Sequence, residues 1–366
     1  MSGTVANNLE RSSGTVGAAG SGIIVDSGDP AIDSNPAGGV GTVWSNSTSG
    51  ETYVCTDATA GTNVWTNVGD GTGDVQPWGF QGAAYGYHFG SGDQDNGSVN
   101  KISFTSDGGS TDVASTTQER DTWTGCSGVT YGFVSGGYDG GTTYDIIDKL
   151  AYASDSSMSD AGDLIANQRS MGSSNNETYG YNHGGNGNSN VIQRFQMVAT
   201  TTSDEVGDLD TGGAYPGGNS DVGNSYGFAA GGYNRTAIID RYQMQASANA
   251  TDVGDLIEPQ ASMASISTDA YGYQCGGGEP SASNFIRKYT FGSSVTSTDT
   301  GNLTVARFDI TGVTSTTYGY CAGGIWPDSN STIMEKFLLA SNSDAEDIGD
   351  LATSGGRYNG PCGAQY

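Results

Sequence analysis

The residues of this chain best suited to metal chemistry are its two histidines, His88 and His183. Each lies at the end of a Tyr-Gly-Tyr segment, and imidazole is a ligand type that copper accepts readily. His88 follows its segment directly, whereas His183 lies one place further along. Because side chains alternate along a strand, the two imidazoles face opposite sides of equivalent strands and cannot serve one site. We therefore expect no copper-dependent oxidase activity.

Hydrolysis of a glycosidic bond would need two carboxylates about 5–10 Å apart. The chain has 40 Asp and Glu residues, and most of the Asp lie in a recurring turn, where a side-chain hydrogen bond to the backbone explains them. An enzyme built from repeats usually breaks its symmetry at the catalytic unit, and no unit here has its own carboxylate cluster. We expect a protein that is not an enzyme and has no cofactor; a glycan-active enzyme is the alternative.

A calcium ion is the remaining metal candidate. The segment GDQDNG, Gly92 to Gly97, is the nearest approach to an acidic calcium loop, and Asp93, Asp95 and Asn96 are weak candidate ligands. The chain has no loop of the DxDxDG type, which would be a strong signal. A solvated hairpin loop is the favoured interpretation, so no metal site is expected.

The elements that must position these residues are short strands. The 366 residues include 60 Gly, and only 14% are charged. Gly and short polar residues favour turns over long helices. The 20 Tyr, 10 Phe and 5 Trp argue against a disordered chain. The composition predicts an all-β protein with many turns.

The charge and the cysteines limit the partners and the compartment. The net charge of −27 argues against nucleic-acid binding, because phosphate contacts need clustered Lys and Arg. No apolar run approaches the roughly 18 residues that span a membrane, and no N-terminal stretch resembles a signal peptide. The odd number of cysteines and the absence of CxxC spacing predict free, mostly buried thiols in a protein made in the cytoplasm.

One motif, Tyr-Gly-[Tyr/Phe]-x-x-Gly-Gly, recurs six times at intervals of 45 to 48 residues. Its copies begin at Tyr85, Tyr131, Tyr179, Tyr226, Tyr271 and Tyr318, and Ser91 interrupts the glycine pair of the first copy. This period is the length of a four-stranded propeller blade. The motif therefore predicts a structural repeat.

The repeats carry three further features. About 14 residues after the first Tyr comes a strand-like run with one basic residue, at Lys101, Lys149, Arg194, Arg241, Lys288 and Lys336. An acidic turn of the type Asp-x-Gly-Asp-Leu follows in five repeats, at Asp160, Glu205, Asp252, Asp299 and Asp347, and the first repeat has only DVAS at Asp112. A variable segment that often contains Arg then leads to the next Tyr-Gly, with Arg120, Arg169, Arg307 and Arg357 as examples. We hypothesise that the basic residues pair with the turn carboxylates or cap backbone carbonyls.

The repeat predicts a six-bladed β-propeller. The variable segment, the Tyr-Gly strand, the basic strand and a short acidic strand make four strands per blade. The last segment, GGRYNGPCGAQY, has no Tyr-Gly strand of its own. We expect it to pair in the first blade and close the ring, which removes open sheet edges.

From Trp78 to Tyr366 the glycine pair after an aromatic strand resembles the kelch repeat of galactose-oxidase-like β-propellers. The chain departs from that pattern because the basic strand offers Phe, Tyr or Leu where kelch blades usually carry a set Tyr and Trp. The Tyr-Gly-Tyr and Asp-x-Gly-Asp-Leu variant is similar to kelch-like propellers in virion proteins of tailed phages, especially marine ones. The resemblance implies a virion structural protein.

The chain before the repeats is expected to form two parts. Residues 1–40, rich in Gly, Ser, Ala and Asn, read as an extended N-terminal arm, with a simple disordered tail as the alternative. Residues 41–76 read as a small β meander around Trp44, Tyr53 and Trp65, with strands at 42–44, 52–55 and 64–68. Similar modules are common in phage tail and fibre proteins. The propeller is expected over residues 77–366.

The loops after each glycine pair differ in length and content, and a rigid ring that displays variable loops is a binding architecture. Tyr138, Tyr144, Tyr233 and Trp326 are the candidate binding residues, able to stack on sugars or seat a partner; anchoring of their own loops is the alternative role. We expect a non-enzymatic virion protein of tail-fibre type.

The expected partners follow from that assignment. Residues 1–76 would contact other virion proteins, and the propeller would contact a host-surface glycan or receptor, with the chain oligomeric in the particle. A capsid decoration or head-fibre protein and a cellular kelch-type scaffold are the alternatives. The expected location is the virion, assembled in the host cytoplasm.

Overall fold

The computed structural model describes residues 23–68, 79–90, 97–198, 200–223, 225–234, 237–278, 281–325 and 330–353, and the backbone of 363–365. The chain divides into two compact units, Met1–Gly79 and Phe80–Tyr366. Every regular element in the described ranges is a β-strand, so the prediction of an all-β protein is confirmed. No helix that could cross a bilayer occurs in the described ranges.

The described part of the first unit contains four strands. They are β1 (Ile24–Asp26), β2 (Val43–Asn46), β3 (Thr52–Asp57) and β4 (Val64–Asn67).

The described part of the second unit contains twenty-six strands. They are β5 (Tyr85–Phe89), β6 (Ser98–Ser103), β7 (Thr111–Ser115), β8 (Thr124–Ser127), β9 (Tyr131–Ser135), β10 (Ile146–Ala151), β11 (Ser159–Asp163), β12 (Gly172–Asn175), β13 (Tyr179–His183), β14 (Val191–Gln196), β15 (Thr201–Thr202), β16 (Asp204–Asp208), β17 (Gly217–Asp221), β18 (Tyr226–Ala230), β19 (Ile238–Gln243), β20 (Thr251–Asp255), β21 (Ala264–Ser267), β22 (Tyr271–Cys275), β23 (Phe285–Thr290), β24 (Val295–Thr296), β25 (Thr298–Asn302), β26 (Thr311–Thr314), β27 (Tyr318–Ala322), β28 (Ile333–Leu338), β29 (Glu346–Asp350) and β30 (Gly363–Gln365).

The first unit is a small sheet in the order β1-β2-β3-β4. Tyr53, Cys55 and Trp65 are fully buried in it, and Trp44 packs edge-on against Trp65 with ring centroids 5.8 Å apart. Residues 23–40, assigned to the arm by their composition, contribute β1, which pairs in parallel with β2. The Trp44 indole also donates a hydrogen bond to the Gly28 carbonyl at 2.9 Å.

The second unit repeats one small sheet. In each of the six sheets in its described part, a short first strand is followed by the Tyr-Gly strand, the basic strand and the acidic strand, all antiparallel. The orders are β30-β5-β6-β7, β8-β9-β10-β11-β15, β12-β13-β14-β16, β17-β18-β19-β20-β24, β21-β22-β23-β25 and β26-β27-β28-β29, where the two-residue strands β15 and β24 are added at the outer edge. The C-terminal strand β30 pairs with β5, the first Tyr-Gly strand, so one sheet joins both ends of the unit.

The first strands of these sheets lie against one another. Strand β8 contacts β12, β12 contacts β17, β17 contacts β21, and β21 contacts β26, while β30 contacts both β26 and β8. Their small residues permit this approach, and serine hydroxyls bridge neighbouring strands: Ser173 donates to the Gly125 carbonyl at 2.6 Å. The closed cycle of small sheets is consistent with a β-propeller-like class.

Aromatic residues fill the spaces between the sheets. The third residue of each Tyr-Gly strand is buried, and Phe133 packs edge-on against Phe195 of the next sheet with centroids 5.5 Å apart. Burying a side chain of this size contributes roughly 1.5–3 kcal/mol. The glycine of the motif makes room for the rings, because a Cβ at Gly180 would lie 2.6 Å from the Phe195 ring.

The acidic turns connect neighbouring sheets. Strand β11 pairs in parallel with the two-residue strand β15, which belongs to the next repeat. Gly162 has φ of +145°, and a Cβ there would collide with the Thr201 carbonyl oxygen. Gly162 is therefore required both by its backbone conformation and by the close approach of the neighbouring strand.

Candidate binding face

The Gly-Gly turns and the segments leading into the first strands lie at the same end of the sheets. The Gly137 N–H donates to the Gln168 carbonyl of the next repeat at 2.9 Å, and Gly232 donates to Gln260 at 2.7 Å. We call this end the loop face, and it is formed in its best-described part by residues 118–122, 136–145, 167–170, 184–190, 212–216 and 231–234.

A series of backbone hydrogen bonds links five of the sheets at the loop face. Five non-glycine residues adopt left-handed conformations with φ between 55° and 58°: Thr122, Ser170, Tyr215, Ser262 and Asp309. Each N–H donates to the carbonyl of the preceding member, at 2.7 to 3.1 Å, from Ser170 onwards. Such a conformation costs about 1–3 kcal/mol per residue and persists only where packing enforces it. The loop face therefore rests on a rigid backbone.

Two arginines next to this series of hydrogen bonds form buried ion pairs. Arg120 contacts Asp148 at 3.0 Å and Arg307 contacts Glu335 at 2.5 Å, and none of the four side chains is exposed. The Arg120 Nε also donates to the Gly136 carbonyl at 2.6 Å, which ties the ion pair to the Gly-Gly turn. Burial lowers the pKa of Arg120, and the facing Asp148 carboxylate opposes that shift. These arginines support the fold and do not reach the surface.

Arg169 lies one residue closer than Arg120 and Arg307 to the left-handed residue of its repeat. Arg120 and Arg307 each lie two residues before the left-handed residue of their repeat, whereas Arg169 lies one residue before Ser170. Gln168 occupies the interior position instead, against Gly185. Arg169 lies on the loop face, with its guanidinium 3.9 Å from the centre of the Tyr138 ring.

Tyr138 and Tyr144 belong to one internally bonded loop. The Tyr144 hydroxyl donates to Asp139 at 2.6 Å, and the Tyr138 hydroxyl donates to the Gly140 carbonyl at 2.6 Å. The Asp139 carboxylate also accepts the Thr142 N–H at 2.6 Å. The hydrogen bond from Tyr144 lowers the pKa of Asp139, and the same bond raises the pKa of Tyr144. Loop anchoring thus accounts for Tyr144, while Tyr138 supports Arg169.

Tyr233 is the most exposed of the candidate tyrosines, at 48% of its surface. Its ring packs edge-on against Tyr215, with centroids 6.2 Å apart. The neighbouring Asn234 amide donates to Asn188 of the preceding repeat at 2.8 Å. Trp326, the fourth candidate, lies outside the described residues.

The repeated tyrosines and basic residues meet on the opposite, outer part of the sheets. In every repeat the cation lies over the ring of the first tyrosine of the motif. The distances to the ring centre are 3.9 Å for Lys101–Tyr85, 5.7 Å for Lys149–Tyr131, 5.0 Å for Arg194–Tyr179, 4.5 Å for Arg241–Tyr226, 4.9 Å for Lys288–Tyr271 and 4.8 Å for Lys336–Tyr318. This sixfold contact is a structural feature of the repeat.

The turn carboxylates have a different role from the hypothesised one. Asp160 and Asp252 accept the N–H of the glycine two residues later, at 2.8 and 2.9 Å, and so stabilise their own turns. The basic residues pair with carboxylates next to the motif or in the adjoining sheet: Lys101 contacts Asp155 and Lys336 contacts Asp107, both at 2.6 Å. These loop acids could not be matched to their lysines from local spacing.

The two histidines are separate and fully buried. The imidazole of His88 lies 3.5 Å from the Thr311 hydroxyl of the preceding sheet, and that of His183 lies 3.1 Å from the Tyr242 hydroxyl of the following sheet. Burial lowers the pKa of His88 to about 3. The imidazoles therefore face opposite sides of equivalent strands.

The described residues contain no cluster of side chains that could form a metal site. No group of three or more His, Cys, Asp or Glu side chains there is arranged to hold a metal ion. The calcium candidates Asp93, Asp95 and Asn96 lie outside the described residues. Four cysteines, Cys55, Cys126, Cys275 and Cys321, are free and buried, and burial raises the pKa of Cys126 to about 12; Cys362 and Arg357 are not among the described residues.

Sequence reasoning missed Arg169 and Tyr215 as surface residues. Its place in the variable segment of the repeat groups Arg169 with the structural arginines. The one-residue offset of Arg169 is visible only when the repeats are aligned on the left-handed residue. No protein-family model matches the chain, and no curated protein sequence matches it. The function is therefore inferred from the loop face itself.

Proposed function

We propose that the second unit is a six-bladed β-propeller of kelch-like repeats and that the protein is a non-enzymatic binding component of a tailed-phage virion. The repeated strand order, the cycle of first strands and the pairing of β30 with β5 support the propeller assignment. The 45–48-residue period and the sequence resemblance support the kelch-like type.

The loop face is the observation that carries the binding function. There the repeats differ from one another, and Tyr138, Arg169, Tyr215 and Tyr233 form ordered contacts that the repeated framework does not require. Aromatic and Arg side chains are the residue types that dominate binding surfaces. A rigid frame that displays such residues on one end suits attachment to a host surface.

The first unit is proposed to dock the protein to the particle through residues 1–76. Within it, Ile23, Val25, Val40 and Val68 are each more than 60% exposed. Exposed apolar side chains on so small a sheet suit contact with another protein. This role implies assembly in the host cytoplasm and contact with other virion proteins.

Particle localisation tests the virion assignment. Antibodies against the chain, combined with cryo-electron microscopy of purified particles, should detect it on the tail. Detection only as a free protein in infected-cell extracts would rule out the virion role, and detection on the head would indicate capsid decoration.

Host binding tests the attachment role. Purified chain should compete with intact particles for adsorption to the host cell. Undiminished adsorption at saturating protein would refute attachment by this chain.

A further inference from the structure

Arg169 is a cation that no carboxylate of the described residues neutralises. Other arginines of the second unit have acidic partners: Arg120 pairs with Asp148, Arg287 with Glu258 and Arg307 with Glu335. The protein carries a net charge of −27, so acidic groups are abundant. Arg241 also lacks a carboxylate partner in the described residues, but its contact with a tyrosine ring recurs in every repeat. The contact of Arg169 with Tyr138 lies outside that repeated framework. An unneutralised arginine outside the framework points to an external anion.

The absence of a partner follows from the repeat. In the sheets of Arg120 and Arg307, an acid on the basic strand, Asp148 or Glu335, faces the interior arginine. The equivalent strand position in the Arg169 sheet is Gln193, and the interior position is Gln168. The ion pair is thus replaced by two amides inside, and the cation is displaced to the loop face.

The guanidinium is held in a fixed orientation. It lies over the Tyr138 ring at 3.9 Å, and the Tyr138 hydroxyl is itself bonded to the Gly140 carbonyl. Stacking leaves the N–H groups at the guanidinium edge able to form two parallel bonds to a carboxylate. The Nε of Arg169 and the hydroxyl of Ser170 are buried and have no hydrogen-bond partner in the described residues, so the donors left for a ligand are the terminal N–H groups of the guanidinium. Donors fixed before binding lose less entropy when a ligand arrives.

An aromatic surface lies next to this cation. The Tyr215 N–H donates to the Ser170 carbonyl at 2.7 Å, so Arg169 and Tyr215 flank one backbone hydrogen bond. Tyr215 supports the half-exposed ring of Tyr233. The amides of Asn188 and Asn234 meet beside it. A flat ring, amides and a guanidinium together match a molecule with an apolar ring face, hydroxyls and a carboxylate.

We propose that the loop face binds a carboxylate-bearing saccharide, with Arg169 holding the carboxylate and Tyr233 packing against a sugar ring. The inference rests on the proposed attachment function and names its ligand class. In this proposal Arg169 binds the ligand and does not stabilise the repeat framework. The net negative charge repels acidic ligands at long range, so recognition depends on the local guanidinium.

Binding of defined saccharides to the purified full chain tests the proposal. The probes are an array of uronic-acid and sialic-acid oligosaccharides together with the methyl ester of each, which removes the charge and keeps the sugar. The variants are Arg169→Gln and the matched control Arg241→Gln, which also removes a tyrosine-stacked arginine but on the outer part of the sheets. Circular dichroism checks that each variant is folded.

We expect at least one acidic saccharide to bind, with a loss of tenfold or more for its methyl ester and for Arg169→Gln, and no change for Arg241→Gln. Equal binding of acid and ester would overturn the role of Arg169. Failure of every acidic probe would overturn the ligand class. Neither negative result alters particle localisation or adsorption competition, so the attachment function is judged separately.

Discussion

Arg120 and Arg169 lie in corresponding segments of consecutive sheets, yet their environments are opposite. Arg120 is fully buried and pairs with Asp148, whereas Arg169 stacks on Tyr138 at the loop face. A shift of one residue relative to the left-handed position separates them. In a repeat protein, an offset from the repeat can therefore be more informative about function than a residue type.

Arg241 and Arg169 also show that position in the repeat separates a framework residue from a site residue. Arg241 stacks on Tyr226 as Arg169 stacks on Tyr138, at 4.5 and 3.9 Å. The Arg241 contact recurs in all six repeats, whereas the Arg169 contact has no counterpart among the described residues of the other repeats. The contact chemistry alone does not distinguish framework from site, but its recurrence does.

The largest stability difference is expected between Arg120→Met and Arg169→Met. Removing Arg120 leaves Asp148 buried and uncompensated, which costs about 3–5 kcal/mol. Removing Arg169 loses one cation–π contact, worth at most about 1 kcal/mol. Urea denaturation of both variants measures the difference, and equal losses would contradict the distinction between them.

A double variant isolates the cause. Arg120→Met combined with Asp148→Leu removes both charges, and replacing a buried ion pair by apolar residues is often neutral. We expect it to regain most of the stability lost in Arg120→Met. No recovery would indicate that packing of the Arg120 stem, not the charge, is the main contribution.

The buried imidazole of His88 should make the stability of the protein depend on pH. The folded pKa of His88 is about 3, below the usual value of about 6.5. As pH falls from about 6.5 to 3 the unfolded chain binds the proton and the folded chain does not, so stability falls by up to about 1.4 kcal/mol per pH unit. His88→Gln, which introduces the residue type that Gln274 provides at the same strand position, should flatten this slope in thermal melts.

A variant at the loop face, Arg169→Gln, is the control for His88→Gln. Arg169→Gln removes no group that titrates in this range and should keep the full slope. An unchanged slope in His88→Gln would show that other buried groups dominate acid unfolding.

A smaller effect is expected for Arg241→Met. A salt bridge with the turn carboxylates would have predicted a large loss, but the structure gives Arg241 a stacked ring and no carboxylate partner among the described residues. The loss should be about 0.5–1 kcal/mol. Lys336→Met, which also removes the contacts with Asp107 and Glu346, should cost more in the same denaturation experiment.

Much of the fold could be predicted because the repeat is local in sequence. The Tyr-Gly motifs begin β5, β9, β13, β18, β22 and β27 at the expected residues. The loop face could not be predicted to the same extent, since it depends on contacts between repeats. The left-handed φ of Ser170 is enforced by packing, and no glycine or asparagine marks it in the sequence. The pairing of Lys101 with Asp155 likewise joins residues 54 positions apart.

The smallest stability effect and the clearest functional effect are expected in one variant, Tyr233→Ala. The ring is half exposed and packs edge-on against Tyr215, so its loss should change the free energy of unfolding by no more than about 0.5 kcal/mol. Competition by the purified chain against intact particles for adsorption to the host cell should nevertheless fall strongly.

Tyr85→Ala is the matched control, because Tyr85 is 38% exposed but stacks under Lys101 away from the loop face. It should lose more stability and keep full competition. The opposite pattern would place the binding surface at the repeated contacts between tyrosines and basic residues, not at the loop face.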